Sequence, residues 1–158
     1  MLRICSLLVP VFALAGCAEN LIPNTDVEDT PENKEVIDFC EQYRIALEAR
    51  DLPRIMMLVS EDYYEDGGSP HGDDDYDKQG LERVLRSRFA RVEDIRYDIR
   101  YRRVVFFPDR VEVYFSFYGR FQVGGAATGT DARWFSKVGD NRLVLGRTPD
   151  GFKILGGL

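Results

Sequence analysis

An α+β domain, with helices packed on one face of a curved antiparallel or mixed sheet, is the fold class the chain predicts. Three helical segments with apolar residues three and four apart come first, and long segments alternating with period two follow them. The 158 residues are 44% hydrophobic and 12% aromatic, which suits one folded domain and little more. A net charge of −6 supplies no overall field for phosphate backbones, so nucleic acid is not an expected partner.

The first segment stands apart from the fold. Met1, Leu2 and Arg3 make a short basic start, and Ile4 to Ala15 is mostly apolar, broken by Ser6 and Pro10. That run is too short to cross a bilayer, which takes about 20 apolar residues, and it reads as a secretory signal over residues 1–16. Its end, Leu14-Ala15-Gly16-Cys17, resembles the lipobox of bacterial lipoproteins, in which the cysteine thiol receives a diacylglycerol. Lipidation at Cys17 would anchor the protein stably at a membrane, and Ala18 after it is similar to the pattern sent to the outer membrane, periplasmic side. The processed chain would carry 20 basic against 27 acidic side chains, a net charge of −7. Of Cys5, Cys17 and Cys40, processing would leave Cys40 as the one free thiol, so no internal disulfide can form.

Residues 17–32 hold five acidic residues, two prolines and no basic residue, a composition that reads as an acidic tether ahead of a domain spanning 33–158. Thr30 can cap a helix with Pro31 in its first position. Val36, Ile37, Cys40, Tyr43 and Leu47 then give that helix one apolar face, which makes Cys40 a buried hydrophobe in preference to a reactive thiol. Asp51 caps a shorter helix in which Pro53 is tolerated and Ile55, Met56, Leu58 and Val59 are expected inside. After a polar loop over 65–79, Leu81, Val84, Leu85, Phe89 and Val92 define a third helix.

The period then changes to two. Ile95, Tyr97, Ile99, Tyr101 and Val105 form one face of a strand whose other face is charged, and Pro108-Asp109 makes a turn. Val111, Val113, Phe115, Phe117, Phe121 and Val123 line the inner face of the next strand. At about 3.4 Å per residue such strands exceed the width of the domain, so a bend is expected, with Gly119 as its site. Segments at 133–138 and 142–147 follow a glycine-rich loop, and Thr148-Pro149-Asp150-Gly151 turns the chain into a closing strand at 152–155.

The run Tyr43-Arg44-Ile45-Ala46-Leu47-Glu48-Ala49-Arg50-Asp51-Leu52-Pro53, continuing to Asp62 and Glu65-Asp66-Gly67-Gly68, resembles the opening of the nuclear transport factor 2-like superfamily. Gly80-Leu81-Glu82-Arg83-Val84-Leu85 is similar to the start of that fold's third helix, and Asp150-Gly151-Phe152-Lys153-Ile154-Leu155 to its closing strand. The resemblance implies a cone in which helices close a curved sheet around a cavity. Function in the superfamily divides among enzymes, small-ligand binders and association modules, many of them dimers through the sheet, so residues at the site must decide.

Within it, ketosteroid isomerases use a tyrosine on the first helix, an aspartate base after the second helix and a protonated aspartate beside the tyrosine. Tyr43 matches the first in place. Asp66 matches the base with one residue deleted before it, and Asp131 matches the third after a glycine-rich insertion. The other reading makes Tyr43 core lining and both aspartates turn residues. Tyr43, Phe115, Phe117 and Trp134 can line a pocket for a small, mostly apolar molecule. His71, the single histidine, sits in a Pro-His-Gly setting and reads as a loop residue. Asp73, Asp75 and Asp77 match the start of a calcium loop, but Lys78 and Val84 stand where glycine and glutamate are needed, so no metal is expected. Residues 61–77 carry eight acidic and no basic side chains, and residues 78–103 nine basic and four acidic, which reads as mutual compensation across a solvated face. The sequence favours a lipid-anchored, cofactor-free domain binding a small apolar ligand or a protein partner, with homodimerisation through the sheet, over an isomerase- or dehydratase-like enzyme.

Overall fold

The computed structural model describes residues 20–67, 74–125 and 129–158. Cys17, His71 and Asp73 lie outside them.

Helix α1 (Pro31–Glu48) starts where Thr30 Oγ1 accepts the Asn33 amide at 3.2 Å, and it buries Val36, Ile37, Phe39, Cys40, Tyr43, Ala46 and Leu47. Burial pushes the Cys40 thiol pKa far up, which keeps it protonated and inert. Helix α2 (Leu52–Leu58) is capped by Asp51, whose carboxylate accepts the Arg54 amide at 3.0 Å. Ile55 is its buried residue, while Val59 is buried just beyond its end. The 65–79 region contributes two short paired strands, β1 (Tyr64–Glu65) and β2 (Tyr76–Asp77). Asp77 then caps α3 (Lys78–Phe89), accepting the Gly80 amide at 2.8 Å. Val92, expected on this helix, instead opens the next strand.

Four strands follow as an antiparallel sheet in chain order: β3 (Val92–Phe106), β4 (Val111–Gly125), β5 (Thr130–Thr148) and β6 (Gly151–Gly156). The two segments expected at 133–138 and 142–147 are one continuous strand. Gly151, at φ +123°, supplies the left-handed turn residue before β6. Three helices on an antiparallel sheet give the expected α+β architecture.

Pairing identifies the two faces. Phe115 opposes Tyr101 and Phe117 opposes Ile99, and Val111, Val113 and Phe115 are buried against the helices. Gly119 pairs with Tyr97 and Lys137 without a register shift, so it is not the irregular point. A Cβ there would meet the Phe121 ring at 2.9 Å, which accounts for the glycine by close approach. The β3–β4 pairing shifts register between Val92 and Asp94 and again between Tyr101 and Arg103, and the second is a bulge that reverses the side-chain parity. Val104 therefore opposes buried Val113 and packs on the core, and Val105 faces the other way, contrary to simple alternation.

Two carboxylates tie α1 to β3. Glu41 accepts the Tyr101 hydroxyl at 2.8 Å and Glu48 the Tyr97 amide at 2.7 Å, and Arg44 bridges both at 2.7 Å each.

Residues 20–30 are not a free tether. Val27 is 3% exposed, the Asp26 amide donates to the Tyr101 carbonyl at 2.9 Å, and the Asp26 carboxylate takes Arg100 at 2.6 Å and Arg102 at 2.8 Å. These contacts cover part of β3, an edge strand. Hydrogen bonds from Arg100 and then Arg102 hold the Asp26 carboxyl at about 2, below its ordinary 3.8. A depressed carboxylate stabilises docking above its free pKa, and that contribution disappears as pH falls from about 4 through about 2. Asp26→Asn is expected to raise amide exchange over residues 21–28 at neutral pH several-fold while leaving β4 protected. Wild type and variant should converge near pH 2.

Candidate functional site: a cavity between the helices and the sheet

A cavity of about 500 Å³ opens between α1, α3 and the inner sheet face. Tyr43 and Leu47 enter from α1, Leu85, Arg88 and Phe89 from α3, Ile95 and Tyr97 from β3, Phe117 and Phe121 from β4, and Lys137 and Gly139 from β5. Helical spacing accounts for the α3 contribution, since Leu81, Leu85 and Arg88 lie on one stripe. Strand parity accounts for β5: Leu143 and Leu145 are buried, so Lys137 and Gly139 share their inward side, and Gly139 opposes Phe117.

The walls are aromatic. Tyr97 stacks on Phe117 with centroids 5.2 Å apart, and the Lys137 ammonium lies 5.9 Å from the Phe117 ring centre. The hydroxyls of Tyr43 and Tyr97 have no hydrogen-bond partner among the described residues. Burial drives both phenols upward, Tyr97 to about 12 and Tyr43 further, so each is a neutral donor near neutral pH.

Of the residues expected at a pocket, Tyr43 and Phe117 line this one. Phe115 points inward too, but it is 2% exposed and packs beside Tyr101 at 6.3 Å in solid core. Trp134 is on the opposite face. Continuity of β5 puts it level with Gln122, 45% exposed, with the Arg96 guanidinium 5.2 Å from its ring.

The three residues of the isomerase-like constellation are not brought together in this cavity. Asp66 is exposed beyond β1, and Asp131 lines a neighbouring depression with Arg91, Arg133 and Phe135, outside the cavity lining. Tyr43 alone of the three reaches the cavity. Asp75 and Asp77 have local structural partners: Asp75 takes the Tyr64 hydroxyl and Asp77 caps α3. Among the described residues there is no cluster of three His, Cys, Asp or Glu side chains placed to hold a metal, and no helix is long and apolar enough to cross a membrane.

Arg88, Lys137 and Tyr97 are the lining residues that a search for acid and base pairs passes over. The signal for Arg88 is its seven-residue offset from Leu81. Lys137 becomes visible only when β5 is taken as one strand with Leu143.

No protein-family model matches the sequence, and no curated protein matches it. Solved structures do resemble it. A ketosteroid isomerase-like protein from Erwinia carotovora atroseptica superposes with TM-score 0.61 at 20% identity, covering 81% of this chain and 94% of that one. A candidate dehydratase of the nuclear transport factor 2-like family from Streptomyces avermitilis gives 0.64 at 16% identity, with 81% and 95% covered. A candidate scytalone dehydratase from Novosphingobium aromaticivorans gives 0.67 at 9% identity, with 80% of each chain covered. The chain therefore has the nuclear transport factor 2-like fold, a helix-closed cone over a curved sheet. Identities this low carry the fold and leave the chemistry to the site.

Proposed function

We propose that the protein is a lipid-anchored component of the bacterial cell envelope, held on the periplasmic side of the outer membrane, whose cone cavity binds a small, mostly apolar molecule without transforming it. The observation that carries the binding reading is the cavity itself: aromatic and aliphatic walls with two unpartnered tyrosine hydroxyls. The separation of Tyr43 from both Asp66 and Asp131 supports binding without catalysis, because a general base must reach the proton it removes. The anchor is supported by the Leu14-Ala15-Gly16-Cys17 sequence behind a basic start and an apolar run.

The alternative is an isomerase- or dehydratase-like enzyme. It draws on Tyr43 in the cavity lining and on the names of the structural neighbours. A neutral β,γ-unsaturated steroid-like ketone separates the two readings. Binding by calorimetry with no double-bond migration is the expected outcome, and turnover that is lost in Tyr43→Phe would establish the enzyme instead.

The outer sheet face supports a second copy of the chain as protein partner. Tyr118 opposes Val138 there, both are exposed with Trp134, and arginines and aspartates alternate around them.

A further inference from the structure

The cavity has apolar walls and two cationic side chains in its lining. Arg88 reaches it from α3 and Lys137 from β5, and both side chains are exposed. Neither has an ion-pair partner among the described residues, so both charges are available to a ligand. Asp140 and Leu158 border the same cavity: the Asp140 carboxylate accepts the Ser116 hydroxyl at 2.6 Å, and a Leu158 oxygen accepts the Tyr76 hydroxyl at 2.8 Å. Screening confines each exposed charge to about 8 Å at physiological ionic strength, so a head group placed beside Arg88 and Lys137 feels these two cations more than the chain's net charge of −6. In the same lining, the Tyr43 and Tyr97 hydroxyls make no hydrogen bond among the described residues and can donate to a ligand.

We infer that the cavity takes an apolar carboxylate, with its hydrocarbon body against Tyr97 and Phe117 and its anionic head between Arg88 and Lys137. This rests on the cavity being a ligand site and adds the ligand's charge. Cations fixed on two separate elements favour a head group that both can reach, and an apolar body gains from the walls independently of that head.

The test is calorimetric titration of the full chain with 2-naphthoate and with 2-naphthamide, its neutral counterpart of nearly equal shape. The naphthoate is expected to bind roughly tenfold more tightly at low salt, a preference that shrinks as salt is raised. Arg88→Gln and Lys137→Gln should each bring the affinity ratio toward one, while Arg83→Gln, the same charge change on an exposed part of α3 outside the cavity lining, should keep it. Equal affinities in wild type, or a ratio surviving both cavity substitutions, would overturn the anionic ligand and leave the cavity as a neutral site. Binding of neither compound to a folded wild type would remove the ligand site itself.

Discussion

Phe115→Asp is expected to leave the domain unfolded at room temperature. Phe115 is 2% exposed at the centre of β4, with Tyr101 opposite it and the helices above. Removing the ring forfeits roughly 3–5 kcal/mol of burial and packing, and an unpaired carboxylate in its place costs several kcal/mol more. Domains of this size have about 5–15 kcal/mol in hand, so the sum reaches the whole of it. Tyr114→Asp, one residue away on the outer face, is the control. Tyr114 gives up its hydrogen bond to Glu112, 2.6 Å long, and the stack under Arg103, but the new carboxylate sits opposite Arg142 in register. Its cost is expected near 1–2 kcal/mol. Thermal melts by circular dichroism separate the pair, and equal losses would contradict the two-faced reading of β4.

Cys17→Ser is expected to move the protein from the membrane fraction almost entirely into the soluble fraction, or to trap the unprocessed precursor, with the domain's melting point unchanged. Metabolic labelling with a fatty-acid probe checks the modification, and an unlabelled wild type would refute it. The docking of residues 20–30 adds a geometric consequence. Three residue steps separate Cys17 from Asn20, at most about 10 Å of chain, so a lipidated protein would hold its domain close against the headgroups. Asp26→Asn, by loosening the docked segment, would lengthen that reach.

Local pattern made most of the fold legible. The caps at Thr30 and Asp51 and the alternation from Val111 to Phe117 need only near neighbours, and each places its element correctly, whereas the Asp77 cap of α3 lies in what reads as a polar loop. What stayed hidden depends on partners distant in sequence. The bulge after Tyr101 is a property of the β3 and β4 pairing, so Val105 and Val104 exchange sides with no local sign of it. The acidic composition of residues 17–32 conceals that Asp26 has partners 74 and 76 residues away. At the site, Tyr43 and Phe117 were recoverable from helical and strand periodicity. Trp134, expected at the pocket, is sent outward by parity counted back from Leu143, which turns Lys137 in.

The claim that the space under the helices is a ligand site is tested most directly by a ¹⁵N-resolved NMR titration with a neutral, flat enone, run on wild type and on Gly139→Leu. Gly139 borders the cavity, and a Cβ there already comes within 3.2 Å of the Phe117 ring, so a leucine would occupy the space a ligand needs. Saturable shifts at Leu47, Leu85, Tyr97 and Phe117 in wild type, abolished in a Gly139→Leu protein that melts normally, are the predicted result. Shifts clustered around Asp131 and Phe135 or on the outer face at Trp134, or binding undiminished by the leucine, would contradict it.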